Sequence, residues 1–287
     1  MPMAKTAALL KWPYYSRLEG GKQYPRGWYE LLVFDFRLVA FLIFSSMQIK
    51  TRGVVLSYIK YKETSIITRI YTEQLGIQSY VVNSVRKAKP PGRIALFQPV
   101  TLVELVAYVA RPGSGLTRLS EFRCAEPLRT LPYDVQKSSV VLFLSEVVGR
   151  AVREEEKNEV LFRFLHDSIL AYDQQEVGTE NFSLLFLLHL TTHLGFGVSS
   201  GNELMDQIVL AGHSAAGSGY STGPGVLRIR EFETYFEELL HNPAQSTIPN
   251  GRVRRELLSV LIRYYQLHIE QLGELKSLDI LSQVLSE

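Results

Sequence analysis

Four positive charges fall within the eight residues 86–93. They belong to Arg86, Lys87, Lys89 and Arg93. The stretch also contains Pro90 and Pro91, which cannot donate ladder hydrogen bonds, so it is predicted to be a loop rather than a central strand. Clustered Lys and Arg side chains on a loop can bind the phosphate backbone of a nucleic acid. Short basic runs are also common in ordinary solvated loops, and the sequence on either side distinguishes the two interpretations.

Enzymatic chemistry finds little support in the sequence. His189 and His193 are four residues apart and could share one helix face, but no Glu follows the first His and no third metal ligand is evident. The glycines between 217 and 223 lack the spacing and the lysine of a phosphate-binding loop. Ser214, Ser218 and Ser221 lie in a predicted Gly/Ser-rich loop and not at the strand-to-helix turn of a nucleophile elbow. We therefore expect a protein that is not an enzyme and needs no metal or cofactor, with the two histidines packed or hydrogen-bonded locally.

The charge of the chain is divided unevenly along its length. The 287 residues suffice for two domains, and 46% hydrophobic with 21% charged residues is typical of a folded globular protein. Residues 47–126 carry 12 Lys and Arg against 5 Asp and Glu, whereas residues 127–287 carry 13 against 21. This asymmetry predicts a basic domain that binds a polyanion and an acidic domain that binds a different partner. The single cysteine, Cys124, excludes an intramolecular disulfide and a cysteine-based zinc site, and favours a cytoplasmic location.

Residues 1–46 do not share the patterns of the rest of the chain. Their tryptophans and tyrosines follow no period, and the apolar run Leu38–Phe44 is too short to span a bilayer. The segment also lacks the pattern of a signal peptide, and no membrane partner is expected. We interpret it as an upstream extension that reflects a mis-assigned translation start. A flexible or amphipathic arm is the alternative.

Residues 47–126 have the pattern of a small β-barrel. Five strand-like runs, the first of them rich in Val, Ile and Tyr, are predicted: Ile49–Tyr61, Thr64–Thr72, Ile77–Val85, Ile94–Val109 (interrupted by Pro99) and Leu116–Cys124. No helix long enough for a βαβ unit separates them. Five strands that close on themselves form an OB-type barrel, which binds single-stranded nucleic acid through a charged groove and aromatic side chains.

Further charged and aromatic residues extend the predicted nucleic-acid surface beyond the basic loop. Positive charge along the first strand and its turn comes from Lys50, Arg52, Lys60 and Lys62. The aromatic residues available for base stacking are Tyr58, Tyr61, Tyr71 and Tyr80, of which we select Tyr80. Together with the charges of 86–93, these residues predict a basic binding face rather than a plain solvated loop.

Past Pro127 the apolar period changes from two to about 3.6, which predicts helices. They are expected at Tyr133–Arg153, Asn158–Tyr172, Phe182–Leu194, Glu231–His241, Val253–Leu272 and Leu278–Leu285. The helix at Phe182–Leu194 is apolar almost throughout and is expected at the centre of the bundle. The segment Ala211–Gly225, rich in Gly, Ser and Ala, is predicted to be an exposed loop. The predicted fold class is therefore α+β, with an N-terminal five-stranded OB-type β-barrel at 47–126 and an all-helical domain at 127–287.

Several short segments, in their order along residues 47–287, carry a family resemblance. In the basic half they are Gly53-Val54-Val55-Leu56, Lys62-Glu63-Thr64-Ser65, Thr72-Glu73-Gln74-Leu75-Gly76, the loop 86–93 and Gln98-Pro99. In the helical half they are Leu165-His166-Asp167, His193-Leu194-Gly195-Phe196-Gly197, Tyr264-Tyr265-Gln266-Leu267-His268 and Gly273-Glu274-Leu275-Lys276-Ser277-Leu278. Taken together, the segments resemble the RecO family of bacterial recombination mediators.

The resemblance implies an OB barrel followed by a helical domain, in agreement with the pattern of the sequence. It also implies a non-enzymatic function in DNA repair and recombination: binding of single- and double-stranded DNA, annealing of complementary strands, and work with RecR to load RecA onto strands coated by single-stranded-DNA-binding protein (SSB). A cytoplasmic, nucleoid-associated location follows from this function. Many members of the family carry a four-cysteine zinc motif, whereas residues 198–225 contain no cysteine, so no zinc is expected here.

The resemblance further implies that the helical domain receives the C-terminal tail of SSB, a short acidic peptide that ends in an apolar residue and a free carboxylate. Such a ligand needs an apolar pocket with a cation at its rim, because an unpaired carboxylate is costly to desolvate. The candidate cations are Arg150, Arg153 and Arg163. We select Arg150, with Val147 and Val148 as the predicted walls of the pocket.

Two functions of other classes remain as alternatives. An OB barrel can also bind RNA, because stacking and backbone contacts work on either polymer, so the chain could be an RNA-binding module or a scaffold protein without a role on DNA. An enzyme with an unrecognised site in the helical domain is less well supported, since the sequence gives its two histidines no acidic or metal-binding partners.

Overall fold

The chain forms a five-stranded barrel followed by α-helices. The computed structural model describes residues 48–86, 93–108, 116–153, 156–215 and 224–284. Within these ranges it contains five strands and seven α-helices, which confirms the predicted α+β class with an N-terminal OB-type barrel. Residues 1–46, interpreted above as an extension, lie outside the described residues.

The barrel closes in the strand order β1–β2–β3–β5–β4. Its strands are β1 Gln48–Tyr61, β2 Ser65–Thr72, β3 Gly76–Val82, β4 Leu102–Tyr108 and β5 Thr117–Glu126. All neighbouring strands pair antiparallel except β3 and β5, which pair in parallel. The interior is filled by the buried side chains of Val55, Ile70, Tyr80, Val103, Leu105 and Ala107. Aromatic and β-branched residues suit these strands because one face of each is packed into the barrel.

The predicted fourth strand is wrong at its start. Residues 94–97 belong to the 3-10 helix Arg93–Phe97, and β4 begins only at Leu102. Pro99 explains the difference, because a proline cannot donate to a ladder and so ends the pairing. Phe97 is fully buried in an apolar cluster that closes this end of the barrel. The cluster also contains Ile66, Val82 and Val85.

Seven α-helices follow the barrel among the described residues. They are α1 Val135–Ala151, α2 Glu159–Gln174, α3 Phe182–His193, α4 Gly201–Ala215, α5 Pro224–His241, α6 Gly251–His268 and α7 Lys276–Val284. Side chains of Asp134, Asn158 and Asn250 accept backbone N–H bonds at the starts of α1, α2 and α6, which stabilises these helix ends. Helix α3 packs against α1, α2, α5 and α6, as expected of the central helix.

The prediction of an exposed loop over Ala211–Gly225 is wrong at both ends. Helix α4 continues to Ala215, helix α5 begins at Pro224, and residues 216–223 lie outside the described residues. Alanine favours the continuation of a helix, and Leu204 and Met205, which are buried, dock α4 on the rest of the bundle.

The first turn of α4 lies directly against α5. A Cβ atom at Gly201 would lie 2.0 Å from the carbonyl oxygen of Glu233, so only glycine leaves room for this approach. The N–H of Gly201 donates to the carboxylate of Glu237 at 2.9 Å, which satisfies one of the free donors at the helix start.

A β-bulge joins the barrel to the helices. The register of β1 against β2 skips one residue at Leu56, and such an extra residue bends a strand and re-aims its side chain. The carbonyl of Leu56 accepts a hydrogen bond from Ser145 Oγ of α1, and its side chain packs in the helical core. A row across the outer face of the sheet is buried in the same core: Ile77, Tyr71, Val54 and Leu102. The apolar core is therefore continuous from the outer face of the barrel into the helices.

The segment between β5 and α1 is held by a buried carboxylate. Asp173, near the end of α2 and only 4% exposed, accepts N–H bonds of 2.8 Å from Arg129, Thr130 and Leu131. Burial alone would raise the pKa of Asp173, but the N–H donors outweigh burial and hold the pKa below its usual value. The carboxylate of Asp173 thus holds three successive residues of this connection in place.

Candidate nucleic-acid interface

Three of the predicted DNA-binding residues meet at one end of the barrel. The backbone N–H of Arg86, just after β3, donates to the carbonyl of Thr64 in the β1–β2 turn at 3.1 Å. The guanidinium of Arg86 donates to the carbonyl of Lys62 in the same turn at 3.2 Å. The side chains of Lys60, Lys62 and Arg86 are all exposed. We name these three residues the basic end of the barrel.

The predicted basic loop leaves the barrel and returns to it at this same end. Lys87 and Lys89 fall within 87–92, outside the described residues. Val85 before the loop and Phe97 after it are both buried in the cluster that closes the barrel. Arg93, at the start of the 3-10 helix, is exposed. Both flanks of the loop are therefore held beside the basic end.

Two other predicted residues lie elsewhere and have acidic partners. Lys50, near the start of β1, has its ammonium group 3.5 Å from the carboxylate of Glu104. Arg52 donates two hydrogen bonds to Glu73, at 2.7 and 3.0 Å, and these lower the pKa of Glu73. The guanidinium of Arg52 also lies 5.2 Å from the ring centre of Phe162 in α2. The structure does not bring Lys50 and Arg52 to the basic end, and Arg52 instead joins the barrel to the helices.

The selection of Tyr80 as a stacking residue is wrong. Its side chain is fully buried in the barrel interior, where burial raises the pKa of its hydroxyl. Tyr71 is fully buried as well, against the helical core. Tyr58 and Tyr61 are half-buried. None of the four tyrosines considered for stacking therefore presents a fully exposed ring to a base.

An exposed aliphatic row, which the sequence did not reveal, crosses the barrel beside the basic end. Ile59 pairs with Ile67 across β1 and β2, and Ile67 pairs with Val81 across β2 and β3, so the three side chains share one face. Ile59 is 62% exposed and the other two are half-buried. Val81 is in register with Arg118 of β5, an exposed cation. The row thus shares its face with the cation Arg118, whereas Lys60, next to Ile59 on β1, projects from the opposite face of the strand.

The predicted partner pocket at Arg150 is wrong in its walls. Val147 and Val148 are 0% and 2% exposed within the helical core, so they cannot line a site that is open to a ligand. Arg150 itself donates to the carbonyls of Leu272, at 2.9 Å, and of Glu274, and it pairs with Glu146. These contacts hold the chain that leads into α7 against α1.

An open cleft lies beside Arg150, between the barrel and helices α1 and α7. Its volume is about 580 Å³. Tyr58 and Pro99 of the barrel half and Leu142 and Ile280 of the helices form apolar walls, and the last two are 40% and 50% exposed. The charged residues of the lining are Arg69, Arg150, Lys276 and Glu146. We name this site the barrel–helix cleft.

His193, one of the two histidines considered for a metal site, packs against an aromatic ring. The ring of His193 packs on that of Phe164 with 4.5 Å between centroids, and burial, together with the nearby His189, lowers the pKa of His193. Within the described ranges no group of three or more His, Cys, Asp and Glu residues could hold a metal ion. None of the helices in that part of the chain is long and apolar enough to cross a membrane.

Comparison with known proteins identifies the family. The family model described as Recombination protein O N terminal matches residues 47–128, and the one described as Recombination protein O C terminal matches residues 132–203. The DNA repair protein RecO of Flavobacterium psychrophilum is 34% identical over 251 residues, which cover 84% of this chain and 100% of that protein. The chain belongs to the RecO family. The resemblance drawn from the short segments is thereby confirmed.

Other relatives in the RecO family are similar over the same span. The DNA repair protein RecO of Bacteroides fragilis is 33% identical over 242 residues, or 82% of this chain and 98% of that protein. The corresponding protein of Christiangramia forsetii is 33% identical over 247 residues, or 83% and 99%. The chain is therefore a RecO-family DNA repair protein with an OB-like barrel.

Proposed function

We propose that this RecO-family protein is a non-enzymatic recombination mediator that binds single- and double-stranded DNA and anneals complementary strands. Together with RecR it loads RecA onto strands coated by SSB. The observation that carries the proposal is the basic end, where Arg86 is hydrogen-bonded to the turn that contains Lys62, two residues after Lys60, beside the flanks of the basic loop. Family membership supports the same function, because the relatives are named DNA repair proteins.

Phosphate contacts supply most of the affinity in this proposal. Lys60, Lys62 and Arg86 can neutralise phosphates whether a strand is single or paired, which explains binding to both forms. The row of Ile59, Ile67 and Val81, on the other face of β1 from Lys60, offers unstacked bases an apolar surface that has no hydrogen-bonding group to distinguish one base from another. Neutralising two strands together also lowers their mutual repulsion, as annealing requires. DNA binding should therefore depend strongly on salt and weakly on base sequence.

Removing three exposed charges around the basic loop should flatten the salt dependence of DNA binding. The triple variant Lys60→Gln, Lys62→Gln and Arg93→Gln keeps polar side chains but removes up to three phosphate contacts. On single-stranded DNA the slope of log affinity against log salt should fall by about two units, at roughly 0.7 per contact. Filter binding over a salt series measures the slope.

Lys50→Gln is the matched control for this experiment. It removes the same charge from the other half of β1, where the ammonium group already faces Glu104, and should leave the slope as in the wild type. An unchanged slope in the triple variant would show that the basic end is an ordinary solvated surface. Competition between matched DNA and RNA strands at one salt concentration tests the alternative of an RNA-binding module, which a preference for RNA would favour.

The barrel–helix cleft is our candidate site for the SSB tail. Leu142 and Ile280 supply exposed apolar surface, and three cations with one acid give the lining a net charge of +2. Lys276 replaces Arg150 as the proposed contact of the terminal carboxylate. Arg150 is engaged by Glu146 and two carbonyls, whereas no hydrogen bond or ion pair joins the ammonium group of Lys276 to the described residues.

Lys276→Ala should weaken binding of an SSB tail peptide by about tenfold. This effect is near the lower end of the range for the loss of a charge-assisted hydrogen bond, because the site is exposed to solvent. Lys157→Ala is the control, since it removes a lysine that pairs with Glu159 at 2.6 Å elsewhere in the helical half. Fluorescence anisotropy of a labelled peptide measures both variants. Equal peptide affinities in the two variants would place the tail outside the cleft.

A further inference from the structure

The barrel–helix cleft and the basic end adjoin each other along β1. Tyr58 lines the cleft, and Lys60 belongs to the basic end. The two residues are two positions apart on one strand, so their side chains share a face. A rise of about 3.3 Å per residue puts their Cα atoms about 7 Å apart. A ligand in the cleft and a ligand on the basic end would therefore be neighbours.

Both surfaces attract anions in the function proposed above. The cleft lining has a net charge of +2 from three cations and one acid, and the basic end adds three exposed cations. Acidic residues of a peptide in the cleft would lie within about one screening length, roughly 10 Å at 0.1 M salt, of phosphates bound at Lys60. Like charges at this separation repel, and each ligand also cancels positive potential that attracts the other.

We propose that an acidic peptide in the barrel–helix cleft and a nucleic acid on the basic end bind with negative coupling. The inference rests on the proposed function, because it needs both ligands. By linkage, each ligand weakens the other by the same factor. The coupling is electrostatic, so it fades as salt shortens the screening length. As a consequence, the protein binds the peptide more weakly once it has bound the nucleic-acid strand. The peptide that recruited the protein is then released more easily.

The test uses the full chain, a labelled single-stranded oligonucleotide and a synthetic acidic peptide with an apolar C-terminal residue. The Kd of the oligonucleotide is measured by anisotropy with and without saturating peptide. We expect the peptide to raise this Kd about threefold to tenfold at about 0.03 M salt and less than about twofold at about 0.3 M. An unchanged Kd at the lower salt, with both ligands bound, would overturn the coupling. If either ligand fails to bind alone, the proposed function is refuted and the inference falls with it.

A double variant separates coupling from direct competition. Lys276→Ala with Ile280→Asp removes a cation and an apolar contact of the cleft, both at exposed positions. If the peptide acts from the cleft, it should no longer shift the Kd of the oligonucleotide in this variant. A full shift would mean that the peptide competes at Lys60 and Lys62, and the proposal would be wrong.

A peptide with amides in place of its acidic side chains isolates the role of charge. At saturation it should occupy the cleft of the wild-type chain with a much smaller shift in the Kd of the oligonucleotide, because the only acid that it keeps is the terminal carboxylate, which Lys276 neutralises in the proposed complex. A shift as large as that of the acidic peptide would demonstrate steric exclusion and contradict the electrostatic coupling.

Discussion

Asp173→Ala should lower the free energy of unfolding by about 3–5 kcal/mol, the range for breaking a buried and hydrogen-bonded charge. The substitution deprives the backbone N–H groups of Arg129, Thr130 and Leu131 of their acceptor at a buried site. These donors belong to the connection between the barrel and α1, so the loss acts on the path of the chain between them. Chemical denaturation at about pH 7, where the carboxylate is ionised, measures the change.

The contribution of Asp173 should disappear in acid. Because the pKa of Asp173 is depressed in the folded state, its stabilisation is complete above the unfolded pKa of about 3.9 and is lost as pH falls through the lower, folded value. The difference in unfolding free energy between wild type and Asp173→Asn should therefore shrink below about pH 4. Glu176→Ala, at an exposed acid just past α2, is a control that should cost less than about 0.5 kcal/mol. A variant Asp173→Ala as stable as the wild type would contradict the role of this carboxylate.

Arg150→Ala should release helix α7 from the bundle. The guanidinium donates to two carbonyls ahead of α7, those of Leu272 and Glu274. It also pairs with Glu146, whose carboxylate accepts the N–H of Ser277 at 2.9 Å in the first turn of α7. We expect a loss of about 2–3 kcal/mol, less than the sum of the separate hydrogen bonds because the Arg150 side chain is 30% exposed. Hydrogen exchange of the α7 amides reports the release.

Arg153→Ala provides the comparison for Arg150. It removes an exposed arginine just past the end of α1 and should leave the protection of the α7 amides unchanged. The opposite pattern is also informative. If Arg150→Ala keeps α7 protected and abolishes binding of the SSB tail, then Arg150 is a partner contact, as the sequence suggested, and its role in holding α7 is minor.

The order of strands and helices could be predicted because it depends on residues that are close in sequence. The predicted strand Thr64–Thr72 became β2 Ser65–Thr72, and the predicted helix Phe182–Leu194 became α3 Phe182–His193. An apolar period of two or of 3.6 is a local property and needs no knowledge of the rest of the chain. The strand prediction for the residues before Pro99 was wrong because the outcome there depends on a tertiary contact. Burial of Phe97 at the end of the barrel overrides the local strand preference.

The candidate sites could be predicted only in part, because they depend on contacts between distant residues. Apolar residues occupy both faces of Ile77–Val82, so its pattern does not show that Tyr80 points into the barrel. Val147 and Val148 belong to an apolar stripe, but a stripe does not reveal whether the protein itself or a ligand covers it. The basic residues were recognisable by type. Only the hydrogen bonds of Arg86 show which of them share one end of the barrel.

The bulge at Leu56 and the buried outer row of the barrel affect folding of the chain during its synthesis. Synthesis runs from the N-terminus, so Val54, Leu56 and Tyr71 leave the ribosome before the helices that cover them exist. Until α1 and α2 follow, an apolar sheet face stays open to aggregation and is a natural target for chaperones. For the same reason the barrel is a poor choice for transplantation onto another protein, unless its outer row is first redesigned with polar residues.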